Sequence, residues 1–238
     1  MKVSFVIPAY NEEAYIEDCL NSILREIKDG NHQAEIIVVN NASTDKTPEI
    51  VKNFPEVMLV HEARKGLSQA RQSGFLASSG DIIANVDADT RLTEGWIKKV
   101  VREFEADSKL VALSGPFVYY DMPLSANILV RLFYYISFVL KAGSMLQGGN
   151  FVLHAPTLKN IGGFNPEYVF YGEDADIARR MHEVGRVKFT MKLPIYSSGR
   201  RLAKEGVLVM GFRYAVNHVW TIFFKKPFTH TVKDLSSE

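Results

Sequence analysis

The chain has 238 residues, of which 47% are hydrophobic and 23% charged, proportions close to those of soluble globular proteins. They exclude a disordered chain, a collagen and a coiled coil, and the length suits one large domain or two small ones. With 28 Lys and Arg against 27 Asp and Glu, the overall charge gives no reason to expect a nucleic acid as partner. Cys19 is the only cysteine, which excludes an internal disulfide and a cysteine-based zinc site.

The first half of the chain alternates predicted strands with predicted helices. Short runs rich in Val and Ile predict buried strands, and apolar residues at helical spacing predict the helices between them. Ser43 or Thr44 is expected to cap the second helix and Thr93 the fourth. The predicted strands cover residues 3–7, 35–39, 57–60 and 81–86, and the first and third helices cover residues 12–27 and 67–77.

This βαβ order predicts an α/β fold with a Rossmann-like, mostly parallel central sheet that is flanked by helices. Ligands of such sheets bind beyond the carboxyl ends of the strands. The rule directs attention to three loops, which lie at residues 8–12, 40–45 and 87–90.

From about residue 110 the pattern becomes mixed, without a repeat or a linker, which favours a single domain. The predicted elements of this part are a strand over 110–120, an apolar helix over 127–140, a Gly-rich turn at 148–150, a strand over 151–154, a short helix that ends at 162–163, a helix that starts at Glu173, and strands over 187–191 and 195–198.

Two segments, residues 127–140 and 207–224, are more apolar than their neighbours. The first is too short to span a bilayer, which takes about 20 apolar residues, and the second carries Arg213, which is costly there. Both fit core or interface helices. Both also fit helices on a membrane surface, where Lys225 and Lys226 would attract anionic lipid. Because the first residues lack signal-peptide features, we expect a cytoplasmic protein, with peripheral contact at the cytoplasmic membrane face as an option.

An acidic pair, Asp87 and Asp89, comes directly after the fourth predicted strand. Side chains two residues apart on a strand share a face, and two carboxylates there repel unless a cation lies beside them. Oxygen ligands suit Mg²⁺ or Mn²⁺, which also bind substrate phosphates. The pattern therefore predicts a divalent-cation site, with a solvated turn as the alternative.

Polar and basic residues follow the second and third strands. Short polar side chains there suit hydrogen bonds to a base or ribose, and cations before and inside the third helix suit a diphosphate. Ordinary helix capping and a solvated helix face are the alternatives. The residues concerned are Asn40, Asn41 and Asp45 in the first group, and Arg64, Lys65, Gly66 and Arg71 in the second.

Two further groups lie in the second half. Glu173 and Asp174 start a helix, where the helix dipole already favours negative charge and where a carboxylate can also act as a general base. Arg200 and Arg201 follow a Ser-Ser-Gly sequence on a predicted loop. They suit a clamp on phosphate oxygens or simple solvation at the surface.

Taken together, these segments resemble the GT-A fold of family 2 glycosyltransferases over residues 2–202. The resemblance implies inverting transfer of a sugar from a nucleotide-sugar donor to a hydroxyl acceptor, with Mn²⁺ or Mg²⁺ as cofactor. The segments that carry it are residues 6–12, 38–45, 66–71, 86–89, 148–150, 162–164 and 172–176.

The resemblance also implies a role for each group of residues. Asp87 would contact the ribose or the metal environment and Asp89 would ligate the metal. Asp174, with Glu173 beside it, would deprotonate the acceptor. The nucleoside pocket would be framed by Pro8, Tyr10 and Glu12, with Asn41 and Asp45 near the base and ribose, and Arg200 or Arg201 would stabilise the leaving diphosphate.

Two departures from the family pattern refine these expectations. Asn40 stands where the family often has Asp, an acceptor for a pyrimidine N–H, so a UDP-sugar is favoured while GDP and dTDP stay open. The chain lacks the Gln-x-x-Arg-Trp sequence of processive synthases, which favours one sugar per encounter, onto a lipid-linked or a soluble acceptor. The expected organisation is a nucleotide-sugar-binding half (1–106), an acceptor half (107–202) and an apolar C-terminal helix with a tail (203–238).

Two other classes of function compete with this interpretation. A nucleotidyltransferase would carry a Gly-rich, basic loop after the first strand, and residues 8–13 contain neither Gly nor Lys nor Arg. A non-catalytic nucleotide-sugar-binding protein would have no need of Asp87, Asp89 and Asp174 together. Oligomeric state does not follow from the sequence.

Overall fold

The structure is a computed structural model that describes residues 1–139, 146–168 and 172–206. Ten strands and eight helices lie within these residues. The strands are β1 (Val3–Ala9), β2 (Ala34–Asn40), β3 (Val57–His61), β4 (Ile82–Val86), β5 (Thr90–Leu92), β6 (Leu110–Ser114), β7 (Phe117–Tyr119), β8 (Asn150–His154), β9 (Arg186–Phe189) and β10 (Ile195–Ser197). The helices are α1 (Ile16–Gly30), α2 (Thr47–Lys52), α3 (Leu67–Ala77), α4 (Trp96–Ala106), α5 (Leu124–Val139), α6 (Ala155–Asn160), α7 (Glu173–His182) and α8 (Arg200–Glu205).

Seven strands form one sheet in the order β3-β2-β1-β4-β8-β6-β9. The pairs β3–β2, β2–β1, β1–β4 and β6–β9 are parallel, and β8 runs antiparallel to both of its neighbours. The predicted mostly parallel sheet is confirmed. Its carboxyl edge, where β1, β2 and β4 end, brings together the three loops that the strand order singled out. A second sheet has the order β5-β10-β7.

Helices cover both faces of the large sheet. On one face α1 buries a stripe at helical spacing, Ile16, Cys19, Leu20 and Ile23, beside a core in which the rings of Phe5 and Trp96 lie 5.9 Å apart. On the other face α3 packs so closely that a Cβ at Gly74 would overlap Val6. This close packing fixes the start of α3 relative to the ends of β1 and β2.

The predicted strand over 110–120 is wrong as a single element. It is two strands, β6 in the large sheet and β7 in the small one. Gly115 and Pro116 separate them: a Cβ at Gly115 would overlap the carbonyl of Leu193, and Pro116 has no N–H to donate to a ladder. The chain therefore changes sheets at this point.

The expected cap of α2 by Ser43 or Thr44 is also wrong. Helix α2 begins at Thr47, and Asp45 Oδ1 accepts from its backbone N–H (3.0 Å) and its hydroxyl (2.6 Å). Ser43 and Thr44 instead bond to the loop that follows β1, through Asn11. Polar side chains in a turn have several backbone groups within reach, and tertiary neighbours decide which one they bind.

Thr93 likewise does not cap α4. Its hydroxyl donates to the carbonyl of Pro194 (2.8 Å), which ties the loop before α4 to the small sheet. The carboxylate of Glu26, on α1, accepts from the backbone N–H of Gly95 (2.8 Å) at the start of α4. A cap supplied from another helix leaves no local signal in the sequence.

The first apolar segment forms α5, which begins three residues before the predicted start at 127. The second segment, residues 207–224, lies outside the described residues. Within the described ranges, no helix has the length and apolar character needed to cross a membrane.

Candidate active site

The loops after β1 and β2 interlock at the carboxyl edge of the sheet. Backbone N–H groups of Glu12 and Glu13 donate to Thr47 Oγ1 (2.8 Å) and Asp45 Oδ2 (3.0 Å). Burial raises the pKa of Asp45, but hydrogen bonds from Thr47 and Glu13 outweigh it and lower that pKa. Asp45, predicted beside the base and ribose, therefore holds two loops together.

Asn40, the last residue of β2, and Asn41, the residue after it, have different partners. Asn41 is buried; its Nδ2 donates to the carbonyls of Glu62 (3.0 Å) and Arg64 (2.8 Å), and its Oδ1 accepts from Gly66 N–H (2.8 Å). Its amide therefore shapes the loop that leads into α3. Asn40 Oδ1 accepts from the backbone N–H of Ser43 (3.0 Å), which leaves that oxygen a second lone pair.

Four other predicted donor-site residues lie around these loops. Lys65 is exposed; its Nζ donates to the Tyr10 hydroxyl (2.8 Å) and lies 4.3 Å from the centre of the Tyr10 ring. Gly66 has φ +147°, a conformation that favours glycine. Pro8 is half-buried in β1, opposite Val39 of β2.

The acidic pair does not share one face of a strand. Strand β4 ends at Val86, and residues 87–89 turn into β5, with Thr90 donating to the Asp87 carbonyl from its N–H (3.1 Å) and its hydroxyl (2.7 Å). In this turn each carboxylate meets its own arginine. Asp87 pairs with Arg71 (3.1 Å) and Asp89 with Arg200 (3.2 Å).

Arg200 joins Asp89 to Glu12. It is the first residue of α8 rather than part of a loop, and its Nη2 lies 2.5 Å from Glu12 Oε1. Burial raises the pKa of Glu12 to about 7 against the pull of Arg200. Burial also raises the pKa of Asp89 to about 6, again opposed by Arg200 and, to a smaller extent, by Arg201. Glu12 Oε2 is buried and has no hydrogen-bond partner within the described part of the chain.

Arg71, predicted to face a diphosphate, has no exposed surface. Its Nη1 lies 2.6 Å from Glu173 Oε1, and its guanidinium lies 4.9 Å from the centre of the Phe151 ring. Glu173 is itself buried, and burial together with the Asp174 charge raises its pKa to about 7 despite Arg71. Asp174 is only half-buried, so it is the carboxylate of this pair that a ligand can reach.

The Gly148–Gly149 turn passes between the donor side and the start of α7. A Cβ at Gly149 would overlap the Asp87 carboxylate, and one at Gly148 would lie 3.6 Å from Asp174 Oδ2. Gly149 also has φ +81°. Glycine at both positions keeps a narrow space between Asp87 and Asp174.

We call the resulting group the acidic corner. Its carboxylates outnumber its guanidinium groups by two, which suits a divalent cation. The members are the carboxylates Glu12, Asp87, Asp89, Glu173 and Asp174 and the guanidinium groups Arg71, Arg200 and Arg201.

The donor set of the acidic corner fits Mn²⁺ or Mg²⁺. Its carboxylates offer only oxygen atoms as ligands, and both ions prefer oxygen ligands. The guanidinium of Arg200 already holds positive charge beside Asp89, and Glu12 keeps an unpartnered buried oxygen. No three His, Cys, Asp or Glu side chains in residues 1–139, 146–168 and 172–206 are arranged to ligate one ion. Asp87 and Asp89 would therefore share it with oxygens from the substrate.

The sequence did not reveal two aromatic residues that contact the arginines of the acidic corner. The Arg200 guanidinium lies 4.5 Å from the centre of the Tyr15 ring, and Phe151 lies beneath Arg71. Tyr15 stands three residues after Glu12, a helical spacing that offers a weak signal. Phe151 belongs to a run that indicates only a buried strand.

Comparison with known proteins gives matches over much of the chain. The sequence model described as "Glycosyl transferase family 2" matches residues 4–154. The "Probable glycosyltransferase YdaM" of Bacillus subtilis is 30% identical over 205 residues, which is 77% of this chain and 47% of that protein.

Two solved structures share the architecture. The mannosyltransferase PcManGT from Pyrobaculum calidifontis, in complex with GDP-Man and Mn²⁺, gives a TM-score of 0.72 at 24% identity over 94% of this chain and 63% of that one. S. aureus TarS 1–349 in complex with UDP-GlcNAc gives a TM-score of 0.64 at 19% identity. That match covers 83% of this chain and 58% of the TarS chain. The likeness shows that the fold is GT-A. The chain spans less than two thirds of each of these three proteins.

The amide of Asn41 yields a test of the loop geometry. We expect Asn41→Asp to lower the free energy of unfolding by about 1–3 kcal/mol, because the buried carboxylate would face two carbonyl oxygens that the amide now satisfies. Asn40→Asp is the comparison and should lower it by less, since the acceptor for Ser43 stays and only the contact of Asn40 Nδ2 with His61 Nδ1 (3.3 Å) is lost. Urea unfolding measures the free energy of unfolding of the two variants. An equal loss at both positions would refute the role of the Asn41 amide in shaping the loop before α3.

Proposed function

The chain belongs to glycosyltransferase family 2, and we propose that it is an inverting, metal-dependent enzyme that moves one sugar from a nucleotide-sugar to a hydroxyl acceptor. The acidic corner is the observation that carries this proposal. It places a half-buried carboxylate, Asp174, across the Gly148–Gly149 turn from Asp87. A base for the acceptor and a binding site for the donor phosphates are thus adjacent.

The donor lies along the carboxyl edge of the sheet. Its base and ribose lie by the loops that Asn41 and Asp45 hold, with Tyr10 and Lys65 beside them. A UDP-sugar is the favoured donor. Asn40 Oδ1 retains a lone pair for a uracil N–H. The structural neighbours with GDP-Man and with UDP-GlcNAc make GDP the first rival.

The diphosphate lies at the acidic corner. Asp87 and Asp89 would hold the divalent cation there, and the bound ion would act as a Lewis acid on the diphosphate and offset its developing charge. Arg200 exchanges part of its contact with Asp89 for a phosphate oxygen, with Arg201 beside it. A guanidinium suits this task because it offers several N–H donors in one plane.

Asp174 removes the acceptor proton. As the acceptor oxygen forms its bond to the anomeric carbon, its proton passes to a carboxylate oxygen of Asp174. The bond from that carbon to the diphosphate breaks on the opposite face, and the nucleoside diphosphate leaves with the electron pair. A single displacement inverts the configuration and needs one base instead of the carboxylate pair of a retaining glycosidase.

A transfer assay tests the proposal. The full chain is incubated with UDP-, GDP- and dTDP-sugars and a mixture of hydroxyl acceptors, with Mn²⁺ or with EDTA. We expect sugar transfer with one donor, inversion at the anomeric carbon, and loss of transfer in EDTA.

The same assay tests the base. Asp174→Asn should lower kcat by about 10²–10⁴-fold, while nucleotide affinity changes little. Glu183→Gln, at the far, exposed end of α7, should leave kcat unchanged. Full turnover by Asp174→Asn would remove the base assignment. Nucleotide-sugar binding without transfer to any acceptor would favour a non-catalytic binding protein. Transfer of a nucleotidyl group would favour a nucleotidyltransferase.

Helix α5 favours a lipid-linked acceptor over a soluble one. Its exposed apolar side chains form a surface of the kind that marks a membrane or protein contact. It also begins three residues after Asp121, whose carboxylate accepts from Ser198 Oγ and Gly199 N–H next to Arg200. The exposed residues are Leu124, Ile128, Leu129, Leu132, Phe133 and Tyr135.

Vesicle flotation tests this contact. The full chain should float with phosphatidylcholine–phosphatidylglycerol vesicles, and the double variant Leu129→Glu with Phe133→Glu should float less, because charged side chains resist burial in lipid. Leu76→Glu is the control, since Leu76 is even more exposed than Leu129 and Phe133 but lies on α3. A double variant that floats like wild type would exclude α5 as the membrane contact. Wild-type protein that does not float would favour a soluble acceptor.

A further inference from the structure

We propose that Arg71 is a positioning residue for the catalytic base, and that it acts through Glu173 instead of touching the donor. It joins Asp87, on the donor side of the acidic corner, to Glu173, the residue before Asp174. The inference rests on the proposed function, because it takes Asp174 as the base.

The burial of Arg71 excludes direct contact with a diphosphate. The side chain has no exposed surface, and its two terminal nitrogens are bonded to Glu173 (2.6 Å) and Asp87 (3.1 Å). Phe151 covers one side of its guanidinium. A ligand in the space between Asp87 and Asp174 would meet the carboxylates before it met Arg71.

The link to Asp174 is the start of helix α7. Glu173 is its first residue and is 6% exposed, and its only ion-pair partner within the described ranges is Arg71. Without Arg71 the buried carboxylate would protonate or turn outward, since an unpaired buried charge is costly. Either change disturbs the first turn of α7, where Asp174 lies.

Arg71 also fixes the donor side. Its second nitrogen holds Asp87 Oδ1, and the other oxygen of Asp87 faces the Gly149 position. A single rigid guanidinium therefore sets the separation between the residue that binds the donor and the helix that carries the base. This separation determines whether the acceptor oxygen can approach the anomeric carbon in line.

A pair of substitutions separates positioning from mere stabilisation. Arg71→Met alone leaves Glu173 unpaired and should destabilise the protein. Adding Glu173→Gln removes the buried charge, and replacing both members of a buried ion pair by neutral residues of similar volume often restores stability. We therefore expect the double variant to unfold at nearly the wild-type urea concentration.

The double variant should still be slow. We expect its kcat to lie about 100-fold below wild type, while its Kd for the nucleoside diphosphate that wild type binds, UDP or GDP with Mn²⁺, stays within about threefold. Arg179→Met is the control: Arg179 pairs with Asp176 and Glu183 on α7, and its loss should leave kcat unchanged. Recovery of kcat together with stability would reduce Arg71 to a structural role. A Kd that weakens in step with kcat would show that Arg71 acts on donor binding through Asp87 and not on the base through Glu173.

Hydrogen exchange decides the inference even if no transfer activity is found. In the double variant, the amides at the start of α7 should exchange at least about 10-fold faster than in wild type while the urea midpoint is retained. Unchanged exchange there would overturn the positioning role. Failure of the proposed function has a different signature, which is wild-type protein that transfers no sugar from any donor.

Discussion

Carboxylates buried at the edge of a sheet must be matched by positive charge, and the acidic corner is organised around that requirement. Arg200 satisfies it on one side, between Glu12 and Asp89, and Arg71 satisfies it on the other, between Asp87 and Glu173. The two arginines differ in accessibility. Arg200 is partly exposed and adjacent to the proposed site of the leaving diphosphate, whereas Arg71 is fully buried and contacts only its protein partners.

The sheet topology explains why these charges meet. Strands β1, β2 and β4 are parallel neighbours or next neighbours, so their following loops converge at one edge. Strand β8 enters the same sheet antiparallel to β4 and begins at that edge, directly after the Gly148–Gly149 turn. The second half of the chain thereby delivers α7 and α8, with Asp174 and Arg200, to the loops of the first half.

Local patterns predicted the parts of this arrangement that depend on local physics. The strand order, the acidic turn at Asp87 and Asp89, and the acidic start of α7 all follow from runs of a few residues. The ion pairs do not follow from local patterns, because their members are far apart in the sequence. Glu12 and Arg200 are 188 positions apart, and Arg71 and Glu173 are 102 positions apart. The same reason explains the wrong caps: Glu26 reaches α4 from another helix. The prediction that Asp87 and Asp89 share one strand face was wrong because β4 ends at Val86, three residues before Asp89.

The proposed reaction requires the acidic corner to bind a divalent cation together with a nucleoside diphosphate. Electron paramagnetic resonance of free Mn²⁺ measures this without any turnover, in the presence of UDP or GDP, for wild type, Asp89→Asn and the control Asp107→Asn at the opposite edge of the sheet. Wild type and control should deplete the free Mn²⁺ signal equally, and Asp89→Asn should bind at least about 10-fold more weakly. Equal depletion by Asp89→Asn, or none by wild type, would contradict the account.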